Sequence, residues 1–142
     1  MPGGTTIRLG LEEQLLAIVD DEPTARKAVG RLLRAAGYEV TLYDSGTALL
    51  RTFDTQPPSC IVLDLHMPQV SGLDVLRALR AGAHNVPVIV VTGDDTSESL
   101  NLAMKLGASA YLTKPIDARK LLHRIDAALH ASKEAAPERG WM

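Results

Sequence analysis

Along this 142-residue chain, short apolar segments alternate five times with segments of helical periodicity. Most of the apolar segments are continuous rather than alternating, which is typical of strands buried on both faces of a parallel sheet. The five predicted strands are Leu15–Asp20, Glu39–Tyr43, Cys60–Leu65, Val86–Thr92 and Ala110–Thr113.

The intervening segments repeat apolar residues at i, i+3, i+4 and i+7, as on one face of a helix. Four predicted helices cover Ala25–Ala36, Ser45–Phe53, Gly72–Arg80 and Ser97–Leu106, and a fifth begins at the N-cap Asp117. Five such units predict an α/β fold, a single doubly wound domain with helices on both faces of a parallel sheet. We assign this domain to residues 13–131, with residues 1–12 and 132–142 as loose ends, because those ends lack periodicity.

Composition excludes several classes of protein. A net charge of −2 and few aromatic residues predict no nucleic-acid binding. The apolar runs are too short to cross a bilayer, so no membrane association is expected. The single cysteine, Cys60, cannot form an internal disulfide and is expected to be a small core residue. The start of the chain, MPGGTTIRLG, shows no apolar core of signal-peptide length, which favours a cytoplasmic location.

Polar residues follow or end four of the strands. Right-handed crossovers bring the carboxyl ends of all parallel strands to one edge, where such folds place their sites. Asp20-Asp21, Asp64, Thr92 and Lys114 are therefore predicted to meet there. At ~4 Å and an effective dielectric near 20, each pair of carboxylates costs about 4 kcal/mol. Lys114 and a hard divalent cation, Mg²⁺, would offset that cost.

A carboxylate beside Mg²⁺ can act as a nucleophile in phosphoryl transfer and form an aspartyl phosphate. Asp64 is the residue we expect in that role. This segment differs from an ordinary core strand, because the apolar run CIVL is followed directly by the acidic residue Asp64. A rigid strand that holds a carboxylate in a shared pocket explains that arrangement.

Four motifs resemble the receiver domain of two-component response regulators. They are IVDDEP (18–23), VLDLHMPQVSGLDVL (62–76), VVTGDD (90–95) and GASAYLTKP (107–115). The resemblance covers about Leu15 to His130. It implies a flavodoxin-like (βα)5 fold with strand order 2-1-3-4-5.

The resemblance also implies the roles of the acidic residues. Asp64 matches the phosphoacceptor, which takes a phosphoryl group from a sensor histidine kinase or a histidine phosphotransfer protein. Asp20 and Asp21 match the acidic pair that holds Mg²⁺ together with Asp64. The backbone carbonyl of His66 matches a further metal ligand.

Three further residues match the switching machinery of the family. Thr92 matches the hydroxyl that turns toward the phosphoryl group, and Lys114 matches the lysine that pairs with a phosphoryl oxygen. Tyr111 matches the aromatic residue that rotates inward when the threonine moves. The resemblance therefore implies a self-catalysed phosphoacceptor with slow autodephosphorylation, rather than a turnover enzyme. Its downstream partner would be another protein, which the sequence does not identify.

Each match also has a structural interpretation. Asp20-Asp21 would serve as a plain helix cap before Pro23, and Thr92 or Lys114 taken alone would be ordinary surface or capping residues. The proline after Lys114 indicates a fixed turn, for which a cis peptide bond is one solution. We assign no role to the His66 side chain, to Asp94 or to Trp141.

Two departures from the family pattern concern dimerisation and the loop after Thr92. Gly93 stands where alanine is common, and Ser109-Ala110 replaces the two acids that precede the tyrosine in dimerising winged-helix regulators. A phosphorylation-dependent homodimer is therefore left open. We favour a single-domain regulator; the alternative is the receiver module of a longer transcription factor or hybrid kinase.

The sequence argues against two other classes of protein. A phosphatase with an aspartate nucleophile places a second acid two residues later, where this chain has His66. A flavodoxin-like electron carrier needs a phosphate-binding loop after the first strand, and the acidic DDEP found there would repel a phosphate.

Overall fold

A computed structural model describes residues 14–93 and 96–140, with side chains described to residue 131. The predictions for residues 1–12, Asp94 and Trp141 lie outside the described residues. The strands are β1 (Leu15–Val19), β2 (Glu39–Tyr43), β3 (Cys60–Asp64), β4 (Val88–Thr92) and β5 (Ala110–Thr113). They form one parallel sheet in the order β2-β1-β3-β4-β5, which confirms the predicted topology.

Five helices connect and flank the strands. They are α1 (Pro23–Ala35), α2 (Gly46–Thr52), α3 (Gly72–Ala81), α4 (Ser97–Lys105) and α5 (Ala118–Gly140). Short polar side chains set several of their starting points. Ser45, Ser71 and Thr96 each accept a hydrogen bond from a backbone N–H in the first turn of the following helix.

The hydrophobic core lies on both faces of the sheet. On one face, residues of the sheet pack with α2, α3 and α4, and on the other they pack with α1 and α5. Every residue of β3 and β4 is buried, as their continuous apolar composition predicts. Cys60 is one of them, and burial raises the pKa of its thiol to about 12, so it acts as a small core residue.

Most helix boundaries differ from the predicted ones by one or two residues, and several strand boundaries differ as well. β1 and β3 each end one residue earlier than predicted. β4 begins at Val88 rather than Val86, because Pro87 has no N–H to donate to the ladder; its carbonyl still accepts from Ile61 at 2.9 Å. The backbone of α5 continues to Gly140, through the segment predicted to be loose. Its first part, Lys133 to Ala136, consists of residues with high helix propensity, which favours the extension of an existing helix. Among the described residues, no helix is both long enough and apolar enough to cross a membrane.

Arg80 joins three parts of the fold at the amino edge of β4 and β5. Its Nε donates to the carbonyl of Leu106 at 2.9 Å, and its Nη2 donates to that of Gly107 at 2.9 Å. Its Nη1 donates to the carbonyl of His84 at 2.7 Å. The guanidinium therefore ties α3 to the loop before β4 and to the end of α4.

Replacing Arg80 with alanine should lower the free energy of unfolding by about 2 kcal/mol, because several backbone carbonyls lose a charged donor. Urea denaturation would measure the loss. Arg77→Ala is the matched control, since Arg77 lies on the same helix, is exposed and pairs with the exposed Asp74 at 3.5 Å. We expect that control to remain within about 0.5 kcal/mol of the wild type. Equal losses in the two variants would contradict the structural role of Arg80.

Candidate functional site

Four strands deliver polar side chains to the carboxyl edge of the sheet. Asp20 directly follows β1, Asp64 ends β3, Thr92 ends β4 and Lys114 directly follows β5. Asp20 and Asp64 are each only 6% exposed, and Thr92 is completely buried. Polar side chains this deeply buried need partners from several elements.

The three predicted acids come together. One carboxylate oxygen from each of Asp20, Asp21 and Asp64 lies within 4.8 Å of the others. Asp21 is exposed, whereas the other two are buried, so the cluster opens toward solvent on one side. Carboxylate oxygens around an open position are the donor set that Mg²⁺ favours, and the residues present therefore fit this ion.

Asp64 is held at both carboxylate oxygens. Its Oδ1 accepts from the backbone N–H of His66 at 3.0 Å, and its Oδ2 accepts from Lys114 Nζ at 3.4 Å. Burial raises the pKa of the Asp64 carboxyl, and the neighbouring Asp20 carboxylate adds to this, whereas the His66 amide and Lys114 oppose it. The His66 amide thus contacts the site, and the metal role of its carbonyl remains a prediction.

Lys114 bridges the two buried carboxylates. Its Nζ lies 3.3 Å from Asp20 Oδ2 and 3.4 Å from Asp64 Oδ2. Burial acts to lower the pKa of this lysine, but the two carboxylates outweigh burial and hold the pKa above its ordinary value. Lys114 is therefore charged at neutral pH and offsets part of the repulsion in the cluster. The peptide bond between Lys114 and Pro115 is cis.

The loop after β1 fixes Asp20 through its backbone as well as its side chain. Its amide donates to the carbonyl of Tyr43 at 3.1 Å, and its Oδ1 accepts from the Glu22 amide at 3.0 Å. Arg26 Nη1 donates to the Asp20 carbonyl at 2.9 Å. Sequence reasoning missed Arg26. One indication was present: a cation near the start of a helix opposes the helix dipole, so its position calls for a local reason.

The two predicted switch residues lie on neighbouring strands, Thr92 on β4 and Tyr111 on β5. Thr92 is buried at the end of β4, where it pairs in register with Thr113 of β5. Tyr111 is half-buried in β5 and packs against the core on the face covered by α2, α3 and α4. The structure thus places Tyr111 beside the core rather than among the acids, and its role as a switch remains a prediction.

A doubly wound parallel sheet with an acidic cluster and a lysine at its carboxyl edge is characteristic of a receiver domain. The chain belongs to the response regulator receiver domain family of two-component systems, whose family model matches residues 16–126. It is 42% identical over 112 residues to the sensory transduction protein RegX3 of Mycobacterium tuberculosis. That match covers 79% of this chain and 49% of RegX3, so the chain spans about half the length of this curated relative.

Solved structures agree with this assignment. A response regulator receiver domain from Clostridium thermocellum superposes with a TM-score of 0.80 at 33% identity, covering 86% of this chain and 98% of that one. A receiver domain protein (CheY-like) from Methanospirillum hungatei gives a TM-score of 0.81 at 25% identity, covering 87% of this chain and 99% of that one. Both matches extend over nearly the whole of the other chain, so this chain contains the complete fold of those receiver domains.

Magnesium is expected to stabilise the folded protein. At ten times the dissociation constant, a ligand that binds only the native state adds about 1.4 kcal/mol to the free energy of unfolding. Calorimetry in MgCl₂ against EDTA should then show a melting temperature higher by roughly 4 °C. The control is NaCl at matched ionic strength. An equal rise in NaCl would show that general screening, rather than a bound cation, stabilises the cluster.

Proposed function

We propose that this chain is a phosphorylation switch in which Asp64 accepts a phosphoryl group. The donor is a phosphohistidine on a sensor histidine kinase or a histidine phosphotransfer protein. The P–N bond of the donor breaks as a P–O bond forms with the Asp64 carboxylate. The observation that carries this proposal is the buried carboxylate of Asp64, which lies within reach of Asp20, Asp21 and Lys114 and opens toward solvent at Asp21.

Each neighbouring residue has a distinct task in this proposal. Asp20, Asp21, Asp64 and the carbonyl of His66 would hold Mg²⁺, which when bound neutralises negative charge on the phosphoryl oxygens. Lys114 already contacts Asp64 Oδ2 at 3.4 Å, so its ammonium is placed to pair with an oxygen of the new phosphoryl group. Its hydrogen bond to Asp20 Oδ2, at 3.3 Å, helps to orient that ammonium.

The phosphorylated state is read by another protein. Thr92 moves toward the phosphoryl group, Tyr111 turns inward, and the α4–β5 region shifts its population toward an active form. α4 is suited to such a shift, because Ala103 is its one fully buried residue within the described part, whereas Leu100 and Met104 are exposed. The domain signals by this change rather than by turnover of a substrate, and slow autodephosphorylation of Asp64 resets it.

The setting of this switch is also part of the proposal. We assign the switch to residues 13–131 and place the protein in the cytoplasm. The switch acts on a downstream protein, and this chain binds neither nucleic acid nor membrane. The alternative arrangement is a receiver module within a longer transcription factor or hybrid kinase. The length of RegX3, about half of which is matched, supports this alternative. A phosphorylation-dependent homodimer remains compatible with either arrangement.

A labelling experiment tests the proposal. The protein is incubated with acetyl phosphate in MgCl₂ or in EDTA, and the intact mass is recorded. One added phosphoryl group is expected with acetyl phosphate in MgCl₂, and none in EDTA. It should lie on the proteolytic fragment that contains Asp64. Labelling on a fragment without Asp64, or equal labelling in EDTA, would refute the proposed site. The protein is also expected to be colourless and not to hydrolyse a generic phosphate ester. These properties would distinguish it from a flavodoxin-like electron carrier and from an aspartate-nucleophile phosphatase.

A further inference from the structure

Arg26 holds the peptide that joins the two acidic residues after β1. Its Nη1 lies 2.9 Å from the carbonyl oxygen of Asp20, and that carbonyl belongs to the peptide between Asp20 and Asp21. A peptide is planar, so a fixed carbonyl also fixes the direction of the next amide and the path of the chain into Asp21. One side chain therefore constrains the backbone of both residues.

The two acids differ in how else they are held. Asp20 has partners for both carboxylate oxygens, since Glu22 donates to Oδ1 and Lys114 to Oδ2. Asp21 is exposed, and no described residue forms a hydrogen bond or ion pair with its carboxylate. The direction of the Asp21 carboxylate therefore depends on its backbone, which Arg26 restrains through the preceding peptide.

The charge of Arg26 and its hydrogen bond act in opposite directions on a bound cation. A guanidinium beside the cluster repels Mg²⁺, so removal of its charge alone would tighten Mg²⁺ binding. Removal of the hydrogen bond releases the Asp20–Asp21 peptide, which would weaken Mg²⁺ binding. The sign of the change on mutation therefore decides which effect dominates.

We propose that Arg26 is a positioning residue for the magnesium site, acting through the peptide between Asp20 and Asp21. This inference rests on the proposed function, because it concerns the same cluster of carboxylates. Residues that orient metal ligands without touching the metal commonly contribute 10–100-fold to affinity. Arg26 donates from α1, so it also couples the start of that helix to the geometry of the site.

The test is a Mg²⁺ titration followed through backbone amide shifts by NMR, which also shows whether each variant is folded. In Arg26→Met, which keeps side-chain length without a donor, the dissociation constant for Mg²⁺ should rise about 10-fold. Arg26→Lys keeps the charge and one donor, and it should recover part of that loss. Arg31→Met is the matched control: Arg31 is an exposed arginine of the same helix, and its loss should change the constant less than twofold.

Phosphorylation by acetyl phosphate gives a second measurement. A positioning role predicts that the Mg²⁺ concentration for half-maximal rate rises about 10-fold in Arg26→Met, while the rate at saturating Mg²⁺ stays within about twofold. Unchanged or tighter Mg²⁺ binding by a folded Arg26→Met protein overturns the inference while leaving the proposed function intact. Failure of the wild type to bind Mg²⁺ overturns both.

Discussion

Asp64→Asn is expected to reduce phosphorylation by acetyl phosphate at least ~1000-fold, because the carboxylate oxygen that attacks phosphorus is replaced by a neutral amide. The amide has nearly the same shape, and it can still accept the hydrogen bond from the His66 N–H. Loss of labelling would therefore reflect the lost nucleophile rather than a collapsed pocket. Mass spectrometry of the intact protein over a time course measures the rate.

The same variant is expected to be more stable than the wild type when Mg²⁺ is removed. Burial and the adjacent Asp20 carboxylate raise the pKa of Asp64, so its ionised form destabilises the metal-free fold. A neutral asparagine should gain ~1 kcal/mol, or about 3 °C in melting temperature in EDTA at pH 7. Because the folded pKa is raised, this advantage should shrink as the pH falls below the pKa of Asp64 in the folded protein, where the wild type is protonated too.

Asp54→Asn is the matched control for both measurements. Asp54 is an exposed aspartate whose Oδ1 lies 3.8 Å from Nε2 of His84. Its substitution should leave labelling unchanged and stability within about 0.5 kcal/mol. Full labelling of Asp64→Asn would mean that another residue accepts the phosphoryl group. Lower stability of that variant in EDTA would mean that Lys114 outweighs the repulsion in the cluster.

Gly72→Ala is expected to have the largest effect on folding. A Cβ at this position would lie 2.5 Å from the carbonyl oxygen of Asp64 and 2.7 Å from the Cα of Leu65. Both are backbone atoms, so neither can move aside as a flexible side chain would. We expect a loss of about 3 kcal/mol, or roughly 10 °C in melting temperature. Slower phosphorylation should accompany it, since the strained backbone carries Asp64.

Gly93→Ala is the control for this substitution. Among the described residues, the nearest atom to a Cβ at Gly93 would be Lys114 Cδ, at 3.9 Å, which is ordinary contact. Its stability should equal or slightly exceed that of the wild type, because alanine restricts the unfolded chain. If the Gly72→Ala protein had the same melting temperature as the wild type, the turn before α3 would be able to rearrange without loss of stability.

The topology and the acidic cluster were predictable because both depend on one-dimensional pattern. Continuous apolar runs in alternation with helical periods indicate a parallel sheet, and a parallel sheet brings the residues after its strands to one edge. The sequence alone therefore groups Asp20, Asp21, Asp64 and Lys114, and in the structure they lie together.

The contacts that support the site were not predictable in the same way. Arg26 donates to a backbone carbonyl, and Arg80 donates to the backbone carbonyls of two loops. Because every residue has a backbone carbonyl, the pattern of side chains in a sequence does not indicate such partners. The crowding at Gly72 depends on the path of the chain after β3, which no periodicity encodes. The continuation of α5 beyond residue 131 was not predicted, because that segment lacks the amphipathic period on which the helix predictions depended.

The bridging position of Lys114 has a consequence for synthesis of the protein on the ribosome. Its partners Asp20 and Asp64 precede it by 94 and 50 residues, so both acids leave the exit tunnel before their cation has been translated. A nascent chain that folded β1 and β3 early would enclose two negative charges with no ammonium between them. Completion of this pocket is thereby delayed until the final strand emerges, which favours assembly of the whole sheet in one late step.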